Sequence, residues 1–476
     1  MPRHPGRPNF VETVTSLPSS SPPERTARSS ATASADDLFS FALRIGESLL
    51  RNGASSEVVT RALLALARTN GYPDCTVNVT MGQITLGYVP SETLQPVTLV
   101  KNVGSVELDI PTLTAIEDLV GETVTGRVGV LEAFEKLNFI IDHGRSPLTL
   151  RLMGAFLMAM GFAWLLGADL AAAIVAAATA VLTEFLSTGA SRIMLPPFYA
   201  RVLSSVLAVG AASLALALTP LTQPGVVITA SIVTQLVGSA SVSAVQDLLT
   251  GWLLTACGRL IEAALLTTGL VVGTMGGLTL AEKAGQSLEL TSVQPALDLS
   301  QTSVAAVLIA AGYAVYCQAG PRSIILFSLL GALGHLVYTV SDRSGVSGMS
   351  STAAAATVLG ILTVLLARPM NWPASGALDI AVIPLVPGMA FYQALAGFVN
   401  HDASAAAHLF EGLATSIAIG AGAVLGQFVS SRVLWQARRA QVNHLAKRDG
   451  TSIAEAEFEA QGLTTPDFRR PFHRQA

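Results

Sequence analysis

GRLIEAALLTTGLVVGTMGG, residues 258–277, and AHLFEGLATSIAIGAGAVLG, residues 407–426, are two long apolar runs that each carry one acid, Glu262 and Glu411. The acids are 149 positions apart. The same offset carries Pro224 onto Pro373, Leu236 and Val237 onto Leu385 and Val386, Leu260 onto Leu409, Gly273 onto Gly422 and Gly277 onto Gly426, with no gap. Residues 224–277 and 373–426 share only 9 identities in 54 pairs, so the matched acids, prolines and run boundaries carry the argument. An acid in hydrocarbon is costly and marks a functional site by default. One that recurs in two halves of a chain points to a duplicated transporter.

The chain around these runs has 476 residues, 51% of them hydrophobic and 13% charged, with a mean hydropathy of +0.55. A soluble globular chain is about 25% charged. Only 19 of the 60 charged residues fall between positions 150 and 430, so an apolar domain is flanked by polar ends. A net charge of −4, with no basic patch interleaved with aromatics, gives no sign of nucleic acid as a partner. Cys75, Cys257 and Cys317 share no ligand-like spacing, so neither a zinc site nor a disulfide framework is expected. No cofactor motif is present either.

Residues 1–35 are rich in Pro, Ser, Thr and Arg and lack an apolar run, so they read as a disordered segment without a secretory signal. Residues 36–144 read as a small α+β domain. Leu38, Phe41, Ile45, Leu49 and Leu50 recur at helical spacing and stop at Asn52-Gly53. Ser55 and Ser56 cap a second helix that runs to Asn70-Gly71. CTVNVT and QITLGYV alternate around Met81-Gly82 as a hairpin, and VTLVKNV adds a third strand. Pro111 opens one further helix, and residues 128–141 form another. Glu117, Asp118 and Glu122 read as a solvated helix face.

Ten apolar spans follow, at 150–167, 169–189, 199–219, 225–242, 252–275, 302–318, 322–340, 352–368, 376–396 and 407–430. Most approach the roughly 20 residues that ~30 Å of hydrocarbon requires. The connection 276–301 splits them into repeat 1 (150–275) and repeat 2 (302–430). GFAWLLGADL at Gly161 resembles GYAVYCQAGP at Gly312, which extends the repeat at an offset of 151. Five spans per half is an odd number, so the halves are inverted. The predicted fold is a polytopic α-helical membrane protein of 10 transmembrane helices in two inverted five-helix repeats, preceded by the small α+β domain. Twelve Lys/Arg residues fall on the side of that domain and only Lys283 and Arg343 on the other, placing both termini in the cytoplasm of a multi-pass cell-membrane protein. The tail 431–476 is basic near the bilayer, with Ser452 and Glu455 as a capping box.

Several polar residues stand out against this apolar background. Pro384, Pro387 and Gly388 interrupt the ninth span, because proline removes a donor and glycine loosens the helix. The matching first-half segment lacks the prolines but offers Gln235, Gly238, Ser239 and Ser241. Asp247 and Gly251 sit at a helix end, and Arg259 lies three residues before Glu262, on one helix face. His408 takes the place of Arg259 beside Glu411, and an imidazole titrates near neutral pH. Asp379 lies in the ninth span. The expected substrate and proton pathway is therefore Asp247, Arg259, Glu262, Asp379, Pro387, Gly388, His408 and Glu411. Glu411 is the expected titrating acid, and Glu262 the one paired with Arg259. Glu184 and His335 read as interfacial, with their polar ends reaching water.

GESLLRNGAS (46–55), VNVT (77–80), ITLGY (84–88), QDLLTGWLLTACGRLIEA (246–263) and PLVPGMAFYQAL (384–395) resemble, in that order, segments of the threonine/serine exporter family. The resemblance spans about residues 38–430. It implies ten membrane helices, a cytoplasmic N-terminal domain, and export of small hydroxy amino acids (threonine and serine) against protons. Family members often carry Leu-Pro-Gly where this chain has Leu236-Val237-Gly238. A membrane-anchored hydrolase using the N-terminal domain, or a non-transporting membrane sensor, is the alternative. The hydrolase lacks a nucleophile–base pair.

Overall fold

The computed structural model of the protein describes residues 34–80, 82–89, 95–104, 106–144, 147–218, 223–233, 235, 238–286, 288, 298–399 and 402–449. Residues 1–33 of the N-terminal segment, the Ser452–Glu455 capping box and part of the 276–301 connection lie outside them. The chain divides into two compact units, one built mainly from residues up to 144 and one mainly from residues after 147.

The first unit opens with α1 (Ala35–Arg51), where Ser34 and Asp37 form a reciprocal capping box. Leu38, Phe41, Ile45 and Leu49 line its buried face. The helix ends where Gly53 takes a φ of +92°, a conformation that only glycine adopts without strain. Helix α2 (Ser56–Thr69) follows, then strands β1 (Thr76–Thr80), β2 (Gln83–Tyr88) and β3 (Val97–Asn102) in an antiparallel meander. Val79 pairs with Ile84, and Leu86 with Leu99. Alternate β2 residues Ile84, Leu86 and Tyr88 are buried, and the Tyr88 ring stacks on Phe39 of α1 at 3.8 Å. Asp109 caps α3 (Ile110–Val124) by accepting from the Thr112 amide at 2.9 Å, and Pro111 sits in its first turn. Helix α4 (Val130–His143) completes the unit.

The expected solvated acidic face on α3 holds only in part. Asp118 is exposed and Glu122 lies 3.7 Å from Lys136. Glu117 is half-buried instead: desolvation, and then the like charge of Asp118, push its carboxyl up to about 7.

The second unit is helical throughout its described residues. Its elements are α5 (Leu148–Leu165), α6 (Leu170–Arg192), α7 (Pro197–Leu218), α8 (Pro224–Val233), α9 (Gly238–Leu249), α10 (Leu253–Lys283), α11 (Leu299–Tyr316), α12 (Pro321–Arg343), α13 (Gly348–Met370), α14 (Ala374–Val382), a 3-10 turn (Ile383–Leu385), α15 (Gly388–Val399) and α16 (Ala405–Asp449). Eight of these helices are long and apolar enough to cross a membrane: α5, α6, α7, α10, α11, α12, α13 and the first 29 residues of α16. The chain is therefore a polytopic helical membrane protein.

The expected fourth and ninth spans are each broken in two. Helix α8 gives way to α9 around Gln235, and α14 to α15 through the 3-10 turn. Pro384 and Pro387 account for the second break. Pro387 supplies no amide for the helix and forces Val386 before it to an extended ψ of 131°.

Glycines set the closest helix approaches. A Cβ on Gly154 would lie 2.7 Å from the Gly312 carbonyl oxygen, and one on Gly312 would lie 2.9 Å from that of Gly154, so α5 and α11 cross backbone to backbone. Gly273 and Gly277 of α10 sit against Val202 and Val209 of α7, while Gly422 and Gly426 of α16 sit against Ala353 and Thr357 of α13. In hydrocarbon such contacts supply the packing energy that water would otherwise drive.

Candidate functional site

Helices α9 and α10 are joined by a tight turn in which Gly251 has a φ of +95° and the Trp252 amide donates to the Asp247 carbonyl at 2.8 Å. The turn folds α10 back along α9, so residues 12 positions apart face each other. Asp247, only 1% exposed, places Oδ2 3.3 Å from Nη1 of Arg259. Arg259 therefore pairs with Asp247, which corrects the pairing with Glu262 expected from their three-residue spacing on one helix. An acid buried this deeply needs a cation more than an exposed one does. Asp379 of α14 lies within electrostatic reach of both Arg259 and Asp247, and α14 packs on α9. A second carboxylate, from a helix more than a hundred residues further along the chain, thus lies in the field of the Asp247–Arg259 pair.

The two acids that dominate the sequence lie elsewhere. Glu262 is exposed on α10 between the exposed Ile261 and Leu265. Glu411 of α16 is 61% exposed, with Oε2 3.6 Å from Nδ1 of His408, the expected one-turn neighbour. Pro387 and Gly388 sit at the α14–α15 break and Gly238 opens α9. The side chains of Ser239 and Ser241, and residues Leu236 and Val237, are outside the described set.

Two polar groupings were not legible in the sequence. Glu184 of α6, 8% exposed, accepts from Arg151 of α5 at 2.8 Å and from the Tyr316 hydroxyl of α11 at 3.1 Å. The guanidinium also donates to that hydroxyl at 3.2 Å, closing a three-membered network. Glu184 is thus held inside the helical unit, not at an interface reaching water. His335 of α12 is buried as well, with no partner for Nε2 among the described residues. The second grouping joins Arg201 of α7 to Gln235 at the α8–α9 break, where Nη1 donates to Oε1 at 2.9 Å. Arg151 and Arg201 had been legible only as charges that orient the chain. Among the described residues no cluster of His, Cys, Asp and Glu could hold a metal ion.

Two threonine/serine exporter family profiles match the chain in tandem, one over residues 40–281 and a second, "Threonine/Serine exporter, ThrE", over 302–429. A protein of Mycobacterium tuberculosis named "Probable threonine/serine exporter" is 28% identical over 428 residues, covering 87% of this chain and 81% of the relative. The "Threonine/serine exporter" of Corynebacterium glutamicum is 27% identical over 409 residues, 83% of each chain. No solved structure matches. With one profile covering just over half of the chain and the other most of the remainder, this protein belongs to the threonine/serine exporter family.

Proposed function

We propose that the protein is a secondary transporter that exports threonine, serine or a similar small polar amino acid across the cell membrane in exchange for protons. Relatives named as exporters along more than four-fifths of the chain support amino-acid export rather than catalysis. The Asp247–Arg259–Asp379 set carries the coupling. One arginine neutralises one aspartate, so the second is neutral only when it holds a proton. Proton uptake therefore switches the set between net −1 and zero, and in a low-dielectric site that difference favours different conformations.

The ten-span, inverted-repeat architecture is part of the same proposal, with the two broken helices as the fourth and ninth spans. Helix neighbours support it. α7 packs on α10 as α13 packs on α16, α5 on α6 as α11 on α12, and α9 on α16 as α10 on α15. Each pair maps onto its counterpart when the halves are exchanged. In inverted repeats substrate binds where broken helices meet near the midplane. The Lys/Arg asymmetry puts both termini and the N-terminal unit in the cytoplasm. Asp247, Arg259 and Asp379 then lie toward the cytoplasmic side, and His408 and Glu411 toward the outside. Glu411 with His408 is a second proton-handling pair in this scheme, and Glu262 an acid unpaired among the described residues, one turn along α10 from Arg259.

Radiolabelled threonine efflux from proteoliposomes, with and without an imposed proton gradient, tests the reading. Export that accelerates when protons can run inward supports it. Efflux identical to protein-free vesicles would exclude it.

A further inference from the structure

Among the described residues three arginines are partly buried in the helical unit, and two are matched by acids: Arg151 with Glu184, and Arg259 with Asp247. Arg201 is the exception. Among the described residues no carboxylate comes within ion-pair distance of it, and its hydrogen-bond partner is the neutral side chain of Gln235. Tyr316, Glu184 and Glu262 lie in its electrostatic field, but Tyr316 and Glu184 are already held with Arg151, and Glu262 is exposed. A half-buried cation whose hydrogen-bond partner is a neutral amide is costly unless an anion completes it.

Gln235 points to where that anion goes. It is 5% exposed. Because a guanidinium only donates, the amide oxygen must face Arg201, which fixes Nε2 on the far side. Among the described residues Nε2 is a buried donor with no partner, a state that is costly when left unmade. Three residues on, the 12-residue helix α9 begins at Gly238, so the break also presents the positive end of a helix. Guanidinium, side-chain amide and helix N-terminus are all donors. At the 149-residue offset Gln235 corresponds to Pro384, which has no amide to give, so the second break does not duplicate this arrangement.

We propose that Arg201 and the Gln235 amide, at the start of α9, form the subsite for the carboxylate of the transported amino acid. The assignment rests on the exporter reading and adds to it the group that is recognised. It makes the free carboxylate the feature that admits a substrate.

The test uses the full-length protein in proteoliposomes and compares threonine with threonine amide, which lacks the negative charge, as competitors of labelled threonine. Wild type discriminates against the amide. Arg201→Gln and Gln235→Leu raise the KM for threonine roughly 10- to 100-fold and bring the threonine-to-amide ratio toward one. Gln235→Glu, which supplies Arg201 with an internal acid, lowers threonine transport, while Arg201→Lys keeps part of the discrimination. Unchanged KM and unchanged discrimination in Arg201→Gln and Gln235→Leu would overturn the subsite while leaving export intact. If wild type moves no threonine, the exporter reading fails and the subsite is judged by binding. Short carboxylates then stabilise detergent-solubilised wild type against melting more than their amides do, and Arg201→Gln abolishes the difference. Equal shifts for carboxylates and amides in wild type would overturn it. Size-exclusion profiles confirm that each variant is folded.

Discussion

Asp247 and Arg259 form an ion pair of unequal burial, and the inequality predicts how it breaks. Arg259→Gln strands a carboxylate that has 1% exposure, whereas Asp247→Asn leaves a cation with 16% of its side chain still open. Removing one partner of a buried pair costs about 3–5 kcal/mol when the survivor cannot reach water, and less when it can. Arg259→Gln should therefore lower the melting temperature in detergent more than Asp247→Asn does, and the double variant should recover part of the loss. Equal destabilisation by the two single changes would contradict the pairing. Glu117 gives a pH prediction in the first unit. Its folded-state carboxyl is pushed up to about 7 from a usual 4.5, so the folded protein binds more protons than the unfolded chain between those values. Stability contributed by this group is then full at low pH and falls as pH rises through that window. Allowing for its partial exposure, the loss is about 1–2 kcal/mol by pH 8. Thiol labelling of the buried Cys75 reads the opening of this unit in the full-length protein. Wild type and Glu117→Gln should label nearly equally at pH 4, and the variant roughly 5- to 30-fold more slowly at pH 8. Equal rates at both pH values would remove Glu117 as a sensor.

Individual elements were legible wherever local chemistry decides them. The α1 stripe, its Asn52-Gly53 stop, the hairpin and the Pro384/Pro387 break all follow from residues within a few positions of one another. Contacts across the fold were not. Arg151 meets Tyr316 across 165 positions and Glu184 meets Tyr316 across 132, and no periodicity reports such a distance. The Arg259–Glu262 expectation failed for a related reason: helical spacing makes both residues neighbours, but the Gly251 turn delivers a better buried partner. The first-half break was visible only as a cluster of small polar residues, because no proline marks it. Helix crossings are testable at this scale. Gly154→Leu inserts a side chain where a Cβ already falls 2.7 Å from the Gly312 carbonyl oxygen, whereas around Gly189 a Cβ meets nothing within 4 Å. Gly154→Leu should cost at least about 1–3 kcal/mol, seen as a lower melting temperature, with Gly189→Leu near wild type. Similar melting for both would place the α5–α11 crossing elsewhere.

At the scale of the whole molecule, the charge set draws on residues far apart in the chain. Asp247 and Arg259 come from α9 and α10 and Asp379 from α14, so any rearrangement of one half against the other changes the distance between the second aspartate and the shared arginine. In the proposed mechanism that change of distance ties protonation to conformation. The most direct measurement is labelled threonine movement through Asp379→Asn in proteoliposomes, with a proton gradient and then with threonine on both sides. The account predicts that the variant still exchanges threonine for threonine but no longer responds to the gradient, because the switching charge is gone. An Asp379→Asn protein whose export is driven by protons as strongly as wild type would contradict it.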